Sequence, residues 1–163
     1  MKKILVIGCP GSGKSTFSKK LSNLINIPLY HLDLIWNKED KTTISREEFD
    51  NILIDIFQKD EWILDGNYQR TLEMRIKEAD TIFLLDFDLA VCLDGALSRI
   101  GKKRDDMPWK EEILNEDFKN KIVNFKNEKL GEIYNLFEKY KNEKNIIIFK
   151  NREETDKYLD RLK

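Results

Sequence analysis

Short, nearly unbroken apolar runs alternate along the chain with longer stretches whose apolar residues recur at helical spacing. The runs are Lys3–Ile7, Leu29–Leu32, Glu61–Leu64, Thr81–Leu85 and Ile146–Phe149. They are too short for helices and nearly continuous in apolar residues, which predicts parallel strands buried on both faces. The helical stretches between them are Lys14–Ile25, Arg46–Gln58, Thr71–Ala79 and Leu89–Ile100. Ser45-Arg46-Glu47-Glu48 has the form of a capping box at the start of the second. From Trp109 to Lys144 there is no proline and no glycine but Gly131, and Ile113, Phe118, Ile122, Phe125, Leu130, Tyr134 and Phe137 keep helical spacing. That segment reads as one broken helix or two successive helices over a sheet. Asn151-Arg152-Glu153-Glu154 opens a final helix to Leu162. Strands alternating with helices define an open α/β sheet with helices on both faces. Such sheets hold ligands beyond the carboxyl ends of their strands, so the residues just past each apolar run are the candidates for chemistry.

The first run ends in Gly8-Cys9-Pro10-Gly11-Ser12-Gly13-Lys14-Ser15, which fits the G-x-x-x-x-G-K-S/T phosphate-binding pattern in every fixed place. A phosphate needs many donors at short range. A glycine-rich turn brings backbone N–H groups close, and the following helix N-terminus, with Thr16 in its first turn, adds its dipole. Lys14 is expected to reach the β- and γ-phosphates and the Ser15 hydroxyl to bind Mg²⁺. The alternative is a strand–helix turn that binds nothing. It leaves unexplained why three of only seven glycines fall in these eight residues.

The other strand ends carry weaker signals. After the second come His31, Asp33 and Trp36. Asp33 there either orients an acceptor hydroxyl and takes its proton or caps a helix. A lone histidine such as His31 is structural or touches substrate, and Trp36 stacks on a substrate or covers the core. The third run ends Asp65-Gly66-Asn67-Tyr68. A carboxylate in this position behind a P-loop holds Mg²⁺ directly or through water, and Gly66 would leave room for a phosphate. The fourth ends Asp86-Phe87-Asp88, with Asp88 placed as a helix N-cap. Farther on, Arg99-Ile100-Gly101-Lys102-Lys103-Arg104 holds four positive charges and no negative one. This is either a solvated helix end favoured by its dipole or a short lid, bracketed by Gly101 and Pro108, whose arginines neutralise a transferring phosphoryl group.

Composition narrows the classes. At 163 residues the chain is expected to form one domain, 1–163, with a lid over roughly 99–109. The net charge is −1, so no global basic field holds nucleic acid or a membrane surface, and direct nucleic-acid binding is not expected. No run approaches the roughly 18 apolar residues of a membrane span. Cys9 and Cys92 have neither metal-type nor framework spacing. A cytoplasmic monomer or weak homodimer is the expectation.

The Gly8–Ser15 motif, Ile63-Leu64-Asp65-Gly66 followed by Arg70-Thr71, and the basic run with Arg99 and Arg104 resemble the adenylate kinase-like family of small P-loop kinases. Gly8–Ser15, His31-Leu32-Asp33 with Trp36, Asp65-Gly66-Asn67-Tyr68 and Gly101 through Met107 are similar to the bacterial group of DNA topology modulation proteins (the FlaR type), over nearly the whole chain. The resemblance implies a three-layer P-loop NTPase fold with a five-stranded parallel sheet and a short helical lid. It also implies ATP and Mg²⁺ as cofactors. It places Arg99 and Arg152 with the P-loop at the nucleotide and Lys14, Asp33, Arg99 and Arg104 in catalysis. His31, Asp33, Trp36, Gly66, Asn67, Tyr68 and Arg70 fall on the side of a small-molecule or nucleotide acceptor, and Ser15 and Asp65 at the metal. Asp94-Gly95 departs from the bulky and basic residues expected in the lid-side helix. Two functions follow: an ATP-dependent kinase of small molecules or nucleotides, and an ATP-binding regulator of DNA topology or gene expression.

Overall fold

The computed structural model describes all 163 residues. Five strands form one sheet: β1 (Lys3–Gly8), β2 (Leu29–His31), β3 (Trp62–Asp65), β4 (Thr81–Leu85) and β5 (Asn145–Phe149). Their order is β2-β3-β1-β4-β5, and every neighbouring pair is parallel. Ile4, Leu5, Val6 and Ile7 of β1 are all fully buried. Successive strand residues point to opposite faces, so both faces of the central strand are covered and the molecule has three layers. The register sets the working edge: Val6 lies opposite Asp65, His31 opposite Asp65, and Gly8 opposite Leu85.

The helices are α1 (Lys14–Ile25), α2 (Leu32–Trp36), α3 (Arg46–Phe57), α4 (Leu72–Glu78), α5 (Leu89–Leu97), α6 (Glu116–Asn124), α7 (Leu130–Tyr140) and α8 (Arg152–Asp160). α1 packs across β1, β2 and β3 and against α8. Phe17 of α1 meets the Phe83 and Phe149 rings edge-on at 5.2 and 5.6 Å, and Tyr158 of α8 meets the same two rings. Each such contact adds about 0.5–1.5 kcal/mol beyond its buried area, so the helix that begins with Lys14 is held firmly over the sheet. At the start of α3, Ser45 Oγ accepts a hydrogen bond from the Glu48 backbone N–H at 3.1 Å.

Several boundaries differ from the sequence expectation. The second strand stops at His31, and α2 begins at once, so Asp33 sits in the first turn of a short helix. α5 stops at Leu97, not Ile100, and residues 98–115 contain no helix at all. The expected helical lid over 99–109 is therefore an irregular strap. Its charged residues leave no apolar stripe to fold onto the sheet, and Pro108 blocks propagation. The Gly101 N–H donates to Glu111 O at 2.7 Å and ties the strap to itself. Helix resumes at Glu116 because Asn115 Oδ1 accepts from the Phe118 N–H at 2.8 Å, a cap that overrides the apolar spacing upstream. α6 and α7 are joined by a π-helical turn, Phe125–Lys129, so the segment is one broken helix. Asp88 does occupy the N-cap of α5, but its side chain makes no capping bond. No helix is long and apolar enough to cross a membrane.

Candidate active site

The phosphate-binding turn connects the central strand to α1, with Gly13 at the helix N-cap. Pro10, Gly11, Ser12, Gly13, Lys14, Ser15 and Thr16 line a cleft of about 1400 Å³ at the carboxyl edge of the sheet. Gly8 and Cys9 do not line it. The loop rests on α5 backbone to backbone. A Cβ on Gly11, whose φ is +85°, would lie 1.9 Å from Cys92 O, and one on Gly95 would lie 2.0 Å from Gly11 O. Gly95, a departure from the expected pattern in the sequence, is thus required by the approach of the loop. Cys9 is fully buried, with its Sγ 3.7 Å from Ile122 O. The neighbouring Cys92 thiol and burial push its pKa well up, which leaves it no nucleophile.

Lys14 is the first residue of α1 and not a solvent-facing loop residue. Its Nζ turns back to donate to Gly8 O at 3.0 Å and Cys9 O at 3.2 Å. Burial lowers its pKa from the usual lysine range, against the pull of Asp65 and Asp33. Asn67 lines the cleft, but its side-chain amide is committed to the loop. Its Oδ1 accepts from the Gly8 N–H at 3.1 Å and its Nδ2 donates to Gly8 O at 2.8 Å, so it clamps the entry to the loop. Gly66 likewise makes room for protein: a Cβ there would lie 2.8 Å from the Leu32 Cβ. The turn that carries both is held by Arg75, fully buried, which donates to the carbonyls of Gly66, Asn67 and Tyr68. Burial pushes this guanidinium down to about 9.

The carboxylates gather around the Ser15 hydroxyl. Ser15 Oγ lies 2.7 Å from Asp65 Oδ2, and His31 Nδ1 lies 2.8 Å from the same oxygen. Burial opposes charge on His31, but the hydrogen bond and charge of Asp65, with Asp106 and Asp33 beyond, hold its pKa above the usual histidine value. On the acceptor side, Tyr68 donates to Asp33 Oδ1 at 2.7 Å and packs against Trp36 and Phe49. Burial raises the Asp33 pKa, and the Tyr68 bond and Lys14 only partly offset it. Trp36 both lines the cleft and meets Phe49 edge-on at 5.4 Å.

The arginines divide into free and committed. The Arg99 side chain lines the cleft, forms no ion pair or hydrogen bond, and lies 6.0 Å from the Phe118 ring centroid. Arg104 also lines it but is tied to Asp106 at 3.1 Å and Glu111 at 3.4 Å. Arg152, at the start of α8, borders the loop beside Gly95. Arg70 is turned away: it is paired with Asp50 of α3 through both terminal nitrogens, at 3.0 and 2.7 Å, and does not line the cleft. Sequence reasoning missed Asp106, whose only signal was the second acidic residue following a basic run, and missed the supporting roles of Asn67, Arg75 and Gly95.

Three buried polar atoms without partners border this cleft: Ser12 Oγ, Asp65 Oδ1 and Arg99 Nε. Orphaned polar atoms are costly and mark places where a ligand completes the bonding. Asp65, only 4 % exposed with an oxygen to spare beside Ser15, fits an oxygen-seeking divalent cation.

No family profile matches the sequence, and no curated protein matches it. Solved structures do. A shikimate kinase from Aquifex aeolicus vf5 shares 20% identity over 98% of this chain and 92% of its own, with a TM-score of 0.52. A shikimate kinase from Acinetobacter baumannii in complex with shikimate shares 15% over 99% and 90%, with a TM-score of 0.62. A gluconokinase from Sinorhizobium meliloti 1021 shares 14% over 99% and 93%, with a TM-score of 0.53. At these identities the likeness is one of fold. The chain has the α/β P-loop kinase fold with a five-stranded parallel sheet.

Proposed function

We propose that this chain is an ATP-dependent phosphotransferase, an adenylate kinase-like kinase that moves the γ-phosphoryl of ATP to a hydroxyl-bearing small molecule or nucleotide. The observation that carries the reading is the unpaired Arg99 side chain facing the same cleft as a complete P-loop and the half-buried Asp33. A cleft of about 1400 Å³ exceeds the ~300–1,000 Å³ that one small ligand fills, which suits two substrates side by side.

The residues divide the work. Backbone N–H groups of the loop and the α1 N-terminus bind the phosphates, and Lys14 exchanges its two carbonyl partners for phosphate oxygens. Ser15 and Asp65 would hold Mg²⁺, which when bound neutralises charge on the β- and γ-phosphates. Arg99 stabilises charge on the transferring group, and the 99–109 strap acts as its lid. Arg152 borders the nucleotide end. Asp33, oriented by Tyr68 and made more basic by burial, accepts the acceptor's proton. The occupied Arg70 argues against a nucleoside monophosphate held by that residue. Fold resemblance to shikimate kinase and gluconokinase adds hydroxy acids to the acceptors worth testing.

The FlaR-type resemblance supplies a second reading, an ATP-binding regulator of DNA topology. Against a direct DNA contact, lysines of the helical segment are paired with acids: Lys119 with Glu116, Lys139 with Glu73, Lys141 with Glu138. The test is ADP release with nucleoside monophosphates, nucleosides, sugars and shikimate-like acids, with Lys14→Ala as the zero. An acceptor that raises turnover supports the kinase. Failure of all of them, with no stabilisation of the protein by ATP·Mg²⁺, would sink it.

A further inference from the structure

Three protein oxygens converge where α1 begins. Ser15 Oγ lies 2.7 Å from Asp65 Oδ2 and 2.8 Å from Asp106 Oδ2. Ser15 lies in the first turn of α1 and Asp65 ends β3. Asp106 arrives from the irregular strap between α5 and α6, and is only 8 % exposed. A hydroxyl carries one proton and donates to one carboxylate, so the other oxygen–oxygen contact has no proton of the serine in it. Two carboxylates brought to one hydroxyl also repel each other.

The cations already present meet all but one of the carboxylate oxygens. His31 Nδ1 takes Asp65 Oδ2, and Arg104 engages both oxygens of Asp106, with Nε 3.1 Å from Oδ1 and a terminal nitrogen 3.4 Å from Oδ2. Lys14 Nζ is held by the carbonyls of Gly8 and Cys9. Asp65 Oδ1, in a residue 4 % exposed that lines the cleft, is left with no partner. A buried carboxylate oxygen without a donor, beside a hydroxyl and a second carboxylate, is a donor set of hard oxygens suited to a divalent cation such as Mg²⁺ or Mn²⁺.

We infer that Asp106 is a third protein oxygen for the divalent cation that accompanies the nucleotide, so that the cation fastens the strap to the P-loop. This rests on the kinase reading above. It gives the strap a reason to dock: with the cation, Asp65 and Asp106 share one positive centre. Without it, their repulsion opposes the docked position. Nucleotide, cation and strap then assemble together, and Arg99, at the strap's root, is brought to bear only on a metal-loaded nucleotide.

The experiment uses the full chain, Mn²⁺ as the probe because its paramagnetism separates bound from free ion, and a non-hydrolysable ATP analogue. Asp106→Asn is expected to weaken Mn²⁺ in the ternary complex by about 10–100-fold. With a chelator present, the metal-free analogue should bind the variant as tightly as the parent or more tightly, because a negative charge beside the phosphates is gone. Hydrogen exchange of residues 99–115 should slow when Mn²⁺ is added to the parent–analogue complex and stay fast in Asp106→Asn. Asp105→Asn, whose carboxylate pairs with Lys19 at the surface, should leave Mn²⁺ affinity unchanged. Parental Mn²⁺ affinity in Asp106→Asn overturns the inference. So does an equal loss of metal-free and Mn²⁺-loaded binding, which would show Asp106 merely positioning Arg104. A parent that binds no analogue at all overturns the kinase reading and this inference with it.

Discussion

Two helical glycines offer the same substitution with opposite expected signs. Glycine in a helix interior is worse than alanine by about 0.8–1.0 kcal/mol, so Gly→Ala stabilises wherever there is space. Gly131 in α7 has nothing within 4 Å of where a Cβ would sit. Gly131→Ala should therefore stabilise the fold by up to about 1 kcal/mol, near 2–4 °C in Tm for a chain of this size. Gly95 in α5 faces Gly11 O at 2.0 Å from the same ideal Cβ position. Real Cβ contacts stay beyond 3.0 Å, so loop and helix must separate by at least 1.0 Å (3.0 minus 2.0). The obstacle is a backbone oxygen that no rotamer change can move. Overpacking of this kind costs about 1–3 kcal/mol, which outweighs the propensity gain over most of that range. Gly95→Ala should lower Tm by several degrees. Displacing the phosphate-binding turn by about 1 Å should also cut turnover on the order of 10²-fold. Thermal melts of both variants, with and without ATP·Mg²⁺, are the assay. If Gly95→Ala melts at or above the parent and gains as much from nucleotide, the contact between α5 and the P-loop does not exist as described.

Arg99→Ala should reduce turnover by about 10³-fold or more while changing ATP affinity little, and Arg99→Lys should rescue weakly because the fork geometry is lost. Arg104→Ala should cost less, since its guanidinium is committed to Asp106 and Glu111. Equal turnover in parent and Arg99→Ala would remove the arginine from the transition state. Arg75→Leu should destabilise by several kcal/mol, at about 1–3 kcal/mol for each of the Gly66 and Asn67 carbonyls left unpaired, as read by denaturant midpoint. A loss under about 1 kcal/mol would mean the 66–68 turn holds itself. Asp33 has a raised pKa, so its ionisation near neutral pH costs stability, whereas the proton-accepting role needs it ionised. Turnover should fall as pH drops through the raised value. Asp33→Asn should melt higher than the parent at pH 7, with the gain vanishing at pH below the ordinary carboxylate range, where both are neutral. A variant that melts lower at pH 7 and keeps its activity would refute both roles.

The sequence by itself determined the sheet and its working edge. Buried parallel strands demand apolar residues on both faces, and that pattern located all five strands within one or two residues at either end. The phosphate-binding turn was legible for a related reason: glycines, lysine and serine act there locally, each fixed by its distance along a few residues of chain. What tertiary structure decided were partnerships between distant segments. Asn67 and Arg70 look alike in sequence, polar residues past a strand end. Packing sends one amide to Gly8 and one guanidinium to Asp50. Gly95 looked like a departure until the approach of Gly11 required it. The strap over 98–115 escaped because its shape comes from ion pairs and a cap rather than periodic apolar burial, and Asp106 escaped with it. A hydrogen bond between residues 91 positions apart leaves no spacing to read, since only the folded chain brings Ser15 and Asp106 together.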